Sequence, residues 1–270
     1  MPHNTEKIIM LGTGHGFTFD LYNTCFILQN EDKNLLVDCG GGAEIIRRIE
    51  KAGLKLSDIH DVFISHCHTD HLLGLMWIFK RLGTMYGRQG YKGDFNIYCN
   101  QEVANSINNM YPLTLPKLHT NAIKENVKIH ILNDNEVVNL AGYDINFFDV
   151  HPKGNMLYGF ETTLNSGKRL IFLGDETCNP VLYDRIKKSD YVMHEVFCLD
   201  SEEPIFKAYE KNHSTVKSVC KEMNNLDIKN LILYHTEDSH QNKKELYTKE
   251  AKEYFENNVI VPDDMEEINL

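Results

Sequence analysis

The segment VFISHCHTDHLLGL, residues 62–75, constrains the fold more than any other stretch of the chain. It begins with a β-branched and aromatic run typical of a buried strand and continues into an apolar pattern with helical spacing. Between the two lie His66, His68, Asp70 and His71, four side chains able to bind a metal. Neutral imidazole nitrogens and carboxylate oxygens suit zinc, and they also accept manganese or iron. The segment therefore predicts a metal site at the junction of a strand and a helix.

Short strand patterns alternate with helical patterns over the rest of the chain. NTCFILQN and KNLLVDCGGG predict two strands, and Asp32 and Lys33 predict the turn of a hairpin between them. Further strands are predicted by runs such as NVKIHIL, YDINFFDVH, RLIFLGD and NLILYHT. Antiparallel hairpins combined with helical crossovers indicate two sheets packed face to face with helices outside. We expect one domain over residues 1–270, because no linker or low-complexity tract interrupts the series.

Composition narrows the class of protein. A net charge of -11 disfavours a protein that holds nucleic acid mainly through phosphate contacts. No apolar run reaches the roughly 20 residues that span a bilayer, and the first residues lack the apolar length of a signal peptide. The seven scattered cysteines include no C-x-x-C pair, which favours reduced thiols. We expect a cytoplasmic protein with no membrane partner.

The H-x-H-x-D-H pattern of residues 66–71 resembles the signature of the metallo-β-lactamase superfamily of hydrolases. Further motifs follow in the order of that superfamily, with His151 after INFFDV, Asp175 in LIFLGDET and His235 in LILYHT. The resemblance covers nearly the whole chain. It implies an α/β fold, the four-layer αββα sandwich of that superfamily, and a hydrolytic activity.

The resemblance also implies two divalent metal ions, with zinc expected and manganese or iron as alternatives. Carried over residue by residue, the first metal would be held by His66, His68 and His151. The second would be held by Asp70, His71 and His235, with Asp175 bridging the two. Two metals about 3.5–4 Å apart can share a hydroxide and clamp the attacking and leaving oxygens of a displacement. Asp70, as a ligand of the second metal, is also expected to be a catalytic residue.

Two further motifs resemble the ribonuclease Z-like branch of the superfamily. HEVF supplies Glu195 and KNHST supplies His213, similar to the H-E-A-x-F and H-x-T motifs of that branch. A carboxylate that orients an imidazole can hold it ready to protonate a departing alkoxide. The resemblance thus implies a catalytic acid at His213, oriented by Glu195. The structural alternatives are a cap or surface acid at Glu195 and a residue that only precedes the STVKSV helix at His213. We expect Thr215 to start that helix.

One departure from the branch bears on the substrate. A transfer RNA 3′-processing ribonuclease Z usually carries a long Gly- and Pro-rich arm between the motifs of His151 and Asp175, whereas this chain has one tight hairpin there. With the acidic charge balance, this favours a phosphodiesterase whose partner is a small phosphodiester or ester, such as a cyclic nucleotide or a cyclic sugar phosphate. The alternatives are a reduced transfer RNA 3′-endonuclease with an RNA partner, and a thioester or lactone hydrolase. A metal-binding scaffold without catalysis is the alternative from another class.

The sequence also gives expectations for His15, Asp38, Cys67 and the oligomeric state. His15 in GTGHG is expected to touch substrate or to support the site residues from behind, with a polar loop residue as the alternative. Asp38 in VDCGGG is expected to cap the glycine turn that follows rather than to bind metal. Cys67 is expected to point away from the ligands on either side of it. Relatives in the branch are often dimers, so the resemblance also implies a homodimer.

Overall fold

The computed structural model describes residues 6–88 and 90–270. Its strands, in chain order, are β1 (Glu6–Gly12), β2 (Cys25–Asn30), β3 (Lys33–Val37), β4 (Asp61–Ile64), β5 (Phe95–Cys99), β6 (Val127–Ile131), β7 (Glu136–Leu140), β8 (Tyr143–Asp149), β9 (Tyr158–Thr163), β10 (Arg169–Phe172), β11 (Tyr191–Glu195), β12 (Asn230–Tyr234), β13 (Asn258–Ile260) and β14 (Glu267–Asn269). Its helices are α1 (Glu44–Lys51), α2 (Thr69–Gly87), α3 (Gln101–Thr114), α4 (Lys117–Asn126), α5 (Tyr183–Ile186), α6 (Glu203–Phe206), α7 (Val216–Asn224) and α8 (Lys243–Tyr254). Short 3₁₀ turns lie at Leu56–Asp58, Pro180–Leu182, Asp200–Glu202 and Tyr209–Lys211.

The strands form two seven-stranded mixed sheets. The first has the order β14-β1-β2-β3-β4-β5-β6 and the second the order β13-β12-β11-β10-β9-β8-β7. Strands β1 to β3 pair antiparallel and β3 to β6 pair parallel, and the second sheet repeats this change at β10. The predicted hairpin between β2 and β3 is confirmed. The two halves of the chain therefore build sheets of the same kind.

Both faces of each sheet are buried, and this explains the near-continuous apolar strands. In β1, Ile8 and Met10 belong to the core between the sheets, whereas Ile9 and Leu11 belong to the core under α1 and α2. A third core packs the outer face of the second sheet against α7 and α8, with Tyr247 fully buried in it. Strands covered on both sides favour uninterrupted apolar residues. The predicted αββα sandwich is confirmed.

The carboxyl ends of the parallel strands create the cleft that matters for function. Parallel strands of one sheet end at the same edge, and the loops after β3, β4, β10, β11 and β12 gather there. The loop after β1 joins both sheets, because Gly14 forms bridges with Asn23 and with Thr236. Among the described residues, no helix combines the length and apolar character needed to cross a membrane.

Candidate metal centre

The first sheet presents four of the predicted ligands between the end of β4 and the start of α2. His66 lies in the connecting loop and is buried, whereas His68, the N-cap residue of α2, is exposed. Asp70 and His71 fall in the first turn of the helix. A carboxylate in the first turn is favoured by the positive end of the helix dipole. One short loop and one helix start thus deliver four candidate ligand side chains to the cleft.

The second sheet presents Asp175 after β10 and His235 after β12, and both side chains are buried. Left-handed backbone turns the chain at several of these strand ends. His235 has a φ of 64°, His151 a φ of 57° and Asp38 a φ of 55°. Such values are uncommon for residues other than glycine, and strained backbone of this kind clusters at functional sites.

Asp175 lies at the centre of the ligand atoms. Its Oδ1 is 3.4 Å from Nε2 of His66, and its Oδ2 is 3.1 Å from Nε2 of His71 and 3.4 Å from Nε2 of His235. Nε2 of His235 is also 3.4 Å from Oδ2 of Asp70. One carboxylate oxygen thus faces His66 and the other faces His71 and His235, which is the arrangement expected of a bridging ligand.

Among the described residues, side chains able to bind a metal form three groups around the cleft: two of them share Asp175, and the third joins Glu195, His213 and His235. The first contains Asp175 with His66 and His68, and the second contains it with Asp70, His71 and His235. Nε2 of His66 and Nε2 of His71 are buried and have no hydrogen-bond partner among the described residues. Buried polar atoms without a partner are costly in a folded protein. A cation coordinated by these nitrogens would satisfy them.

The charge states of the clustered side chains also favour a bound cation. Burial lowers the pKa of His66 to about 3, so that its ring is neutral and has a lone pair for a metal. Burial acts to raise the pKa of Asp175, but the surrounding imidazoles hold it well below its ordinary value. Two ionised carboxylates among neutral and partly charged imidazoles suit a divalent cation. The residues present therefore fit a metal centre.

Asp38 has a different role from the expected turn cap. Its Oδ2 lies 2.8 Å from Nδ1 of His71 and accepts a hydrogen bond from Ser65 Oγ at 2.8 Å, while its Oδ1 accepts from the Ser65 amide. Ser65 Oγ in turn lies 3.0 Å from Nδ1 of His66. A carboxylate that binds the far nitrogen of a ligand histidine fixes the ring and its tautomer. The spacing of the sequence gives no signal for this contact.

His151 is the one predicted ligand that the structure leaves outside the groups of adjacent metal-binding atoms among the described residues. Its side chain is 48% exposed, with Nδ1 3.7 Å from Oδ2 of Asp149. The place of His151 as a ligand stays a prediction. Cys67 is also outside these groups, and its Sγ accepts a hydrogen bond from Asn155 Nδ2.

Glu195 and His213 lie together beside the second group. Nδ1 of His213 is 3.5 Å from Oε2 of the fully buried Glu195, whose Oε1 accepts a hydrogen bond from the Ser214 amide. The ring of His213 stacks on Phe197 with centroids 5.0 Å apart, and it lies 5.1 Å from the ring of His235. Burial acts to lower the pKa of His213, but the neighbouring Glu195 carboxylate outweighs it and raises the pKa above its ordinary value. A buried carboxylate thus holds an imidazole at the edge of the ligand cluster.

Two other residues near the cluster, Thr215 and His15, have structural roles that differ from each other. Thr215 starts α7 as expected, because its hydroxyl accepts a hydrogen bond from the Ser218 amide. His15 is buried behind His235, with Nε2 2.9 Å from Oε1 of Glu237 and its ring 4.5 Å from that of Phe197. His15 therefore supports the loop after β1 rather than lying in open cleft.

Comparison with known proteins finds one matching family model and several similar ribonucleases Z. A family model described as Anti-Pycsar protein Apyc1 matches residues 6–264. A ribonuclease Z from Prochlorococcus marinus (strain MIT 9215) is 26% identical over 310 residues, covering 95% of this chain and 97% of that protein. A ribonuclease Z from Bacteroides fragilis (strain YCH46) is 22% identical, covering 96% of this chain and 97% of its own. The first alignment spans 310 positions against 270 residues here, so at least 40 positions of the relative have no counterpart.

Solved structures share the fold at low sequence identity. The metallo-β-lactamase fold protein YhfI from Bacillus subtilis superposes with a TM-score of 0.80 at 15% identity, covering 98% of this chain and all of that one (100%). Unliganded yeast PDE1 gives a TM-score of 0.75 at 16% identity, with 99% and 100% covered. The short form of human tRNase Z gives 0.71 at 19% identity, with 97% and 98% covered.

Proposed function

The chain belongs to the family of the Anti-Pycsar protein Apyc1 and is a metal-dependent hydrolase of the ribonuclease Z-like branch of the metallo-β-lactamase superfamily, and we propose that its substrates are small phosphodiesters. The superfamily and the branch predicted from the sequence are confirmed. Cyclic nucleotides and cyclic sugar phosphates are substrates of the proposed kind. The observation that carries the proposal is the presence, in one cleft, of the ligand groups around Asp175 and the Glu195–His213 pair.

The proposal places two divalent ions, zinc with manganese or iron as alternatives, in the two groups that share Asp175. His66 and His68 would hold the first ion, with the predicted His151 as its remaining histidine. When bound, the pair of ions would supply an activated water as nucleophile and positive charge opposite the phosphate oxygens. Asp38 and Ser65 would keep the ligand rings in place from behind.

His213 is proposed as the general acid. Its Nδ1 faces Glu195, which leaves Nε2 as the nitrogen that can give a proton to the departing alkoxide. The raised pKa keeps the imidazolium populated to higher pH than in an ordinary histidine. Glu195 acts as a positioning residue, because its carboxylate contacts the imidazole and not the reacting atoms.

The preference for a small substrate rests on what the chain lacks and on its charge. Between β9 and β10 the described chain has only a tight hairpin, where a long arm would be expected for transfer RNA processing. The alignment with a ribonuclease Z leaves at least 40 positions of the relative unmatched by the 270 residues here. A net charge of -11 adds no attraction for a long polyanion. Likeness to ribonucleases Z over 95% of the chain supports the second candidate, a transfer RNA 3′-endonuclease.

Turnover of a substrate panel by the metal-supplemented protein tests the proposal. The panel contains bis(p-nitrophenyl) phosphate, a 3′,5′-cyclic nucleotide, a p-nitrophenyl ester, a lactone and a precursor transfer RNA. We expect hydrolysis of the first two and little turnover of the ester or lactone. The matched variants are Asp175→Ala, which should lose activity, and Cys67→Ser, which should keep it. Preference for the precursor transfer RNA would replace the proposal with its alternative, and preference for the ester or lactone would contradict both.

A further inference from the structure

Two phenylalanines on the loop after β1 are displayed to solvent. Phe17 is 80% exposed and Phe19 is 89% exposed. Their rings contact each other edge to face, with centroids 6.3 Å apart and planes at 89°. Among the described residues, no other phenylalanine is exposed to this degree. Large apolar side chains that are exposed together, rather than singly, mark binding surfaces.

The segment that carries these rings is held in place. Oδ2 of Asp238 accepts hydrogen bonds from the amides of Phe19 and Asp20, at 2.5 and 2.8 Å. The Thr18 hydroxyl lies within hydrogen-bond distance of the His15 and Leu21 carbonyls. A backbone that is already held reduces the entropy lost when a ligand binds to this segment.

The same segment lies directly beside the ligand cluster. A methyl group added at Gly16 would be 3.1 Å from Oδ2 of Asp70. The backbone on the N-terminal side of Phe17 therefore passes over a proposed metal ligand. Because one residue advances the chain by at most about 3.6 Å, the Cα atoms of Phe17 and Phe19 lie within roughly 11 Å of the Cα atom of Gly16. Phe17 and Phe19 thus belong to the loop segment that borders the cluster on one side.

We propose that Phe17 and Phe19 form a stacking surface for the base of a nucleotide substrate whose phosphodiester lies at the metal centre. The inference rests on the proposed phosphodiesterase function and adds a residue-level determinant of specificity. Every base has a flat π face, so aromatic rings bind bases without reading their identity. A cyclic sugar phosphate without a base would gain nothing from these rings. The pair therefore favours nucleotides over base-free phosphodiesters.

A kinetic comparison of two substrates tests the inference. The double variant Phe17→Ala/Phe19→Ala is assayed on 3′,5′-cyclic AMP and on a cyclic ribose phosphate that lacks a base. We expect KM for the nucleotide to rise roughly 10- to 100-fold, with kcat changed much less and with both constants unchanged for the base-free substrate. Calorimetry with a hydrolysis-resistant phosphorothioate analogue of the nucleotide should show the same loss of affinity. The double variant Phe17→Tyr/Phe19→Tyr should retain wild-type KM.

A matched control and the oligomeric state separate the competing explanations. Leu118 on α4 is 73% exposed, and Leu118→Ala should change neither substrate. An equal loss of activity on both substrates in the Phe17/Phe19 variant would overturn the inference. A loss of activity accompanied by dissociation of an oligomer would also overturn it, because the pair would then be a contact between copies. If the wild-type chain hydrolyses base-free phosphodiesters as well as nucleotides and the variant matches it throughout, only the stacking role fails. If the wild-type chain hydrolyses no phosphodiester, the proposed function fails and the inference fails with it.

Discussion

The ligand nitrogens of the first sheet are set by contacts on the opposite side of each ring. Asp38 is 1% exposed and serves His71 directly and His66 through Ser65. Ring nitrogens that are engaged in this way leave Nε2 of each histidine directed at Asp175. One buried carboxylate outside the ligand set therefore controls the orientation of two ligands.

The first prediction concerns that carboxylate. Asp38→Ala should weaken metal binding by roughly 10- to 100-fold, because the His71 ring loses the group that fixes its tautomer. Competition with a chelator measures the affinity. Asp32→Ala, in the exposed turn between β2 and β3, is the control and should bind metal as wild type does. Equal affinities in the two variants would show that Asp38 does not support the metal centre.

The second prediction concerns His213 and the leaving group. An alkoxide needs a proton as the phosphorus–oxygen bond breaks, whereas p-nitrophenolate can leave without one, and general acids contribute about 10²–10⁴-fold. His213→Ala should therefore keep its metals and much of its p-nitrophenyl turnover while losing most activity on an alkyl phosphodiester. Because the pKa of His213 is raised, wild-type activity on the alkyl substrate should fall as pH rises through that pKa, and the variant should lack this dependence.

Glu195→Gln should show a weaker form of the same pattern, since it disturbs only the position of the imidazole. An equal slowing of both substrates by His213→Ala, with metal content intact, would assign His213 a structural or substrate-binding role instead.

At the scale of elements, helix α2 is held against the loop after β3 by a close approach. A Cβ at Gly74 would lie 1.9 Å from the carbonyl oxygen of Cys39, and the Gly74 amide donates to the Gly40 carbonyl at 2.8 Å. The same helix carries Asp70 and His71 in its first turn. Its distance from the loop after β3 therefore sets the position of two ligands relative to Asp38.

The third prediction uses two glycines of that helix. Gly74→Ala should destabilise the protein by at least about 2 kcal/mol, because the new methyl group clashes with backbone that cannot move away cheaply. Gly87→Ala, at the last position of α2 with open space around it, should be neutral or stabilising by up to about 1 kcal/mol, as helix propensity alone predicts. Denaturant unfolding measures both. Similar free energies of unfolding in the two variants would exclude the close contact.

Elements with strong apolar patterns could be predicted from the sequence, and those without them could not. Strands such as β4 and β12 are buried on both faces and leave continuous apolar runs. Strands β13 and β14 have three residues each, too few to show a pattern, and the sequence pattern also does not predict half-exposed β7 or helix α4. PVLYDRIKKS predicts one helix, but the chain forms a 3₁₀ turn at Pro180–Leu182 and the single turn α5.

For the candidate site too, the sequence indicates some residues and gives no signal for others. Asp175 and His235 follow apolar strands and were predicted from the resemblance to the superfamily, and the structure places both in the cluster. The contact of Asp38 with His71 joins residues 33 positions apart, and the exposure of Phe17 and Phe19 depends on how the loop after β1 folds back on Asp238. Such features arise from packing between elements, so the sequence pattern did not indicate them.

In the whole molecule, the candidate metal centre lies where the two sheets meet. The first sheet contributes the cluster from His66 to His71, and the second contributes Asp175, His235 and the Glu195–His213 pair. The structure forms no disulfide among the seven cysteines, all of which lie in the described ranges, and their reduced state stays a prediction. The expected homodimer and the cytoplasmic location stay predictions. Because ions bound at the centre would join the halves of the chain, they should stabilise the folded state by an amount that rises with the logarithm of their free concentration relative to Kd.

The most direct test of this two-sheet metal centre is the metal content of the purified chain, measured by elemental analysis beside Asp175→Ala after expression with added zinc or manganese. We expect close to two transition-metal ions per wild-type chain, fewer in the variant that lacks the shared carboxylate, and a higher Tm for the wild-type protein when metal is restored after chelation. A wild-type content near zero, with a Tm that does not respond to metal, would contradict a dinuclear hydrolytic centre.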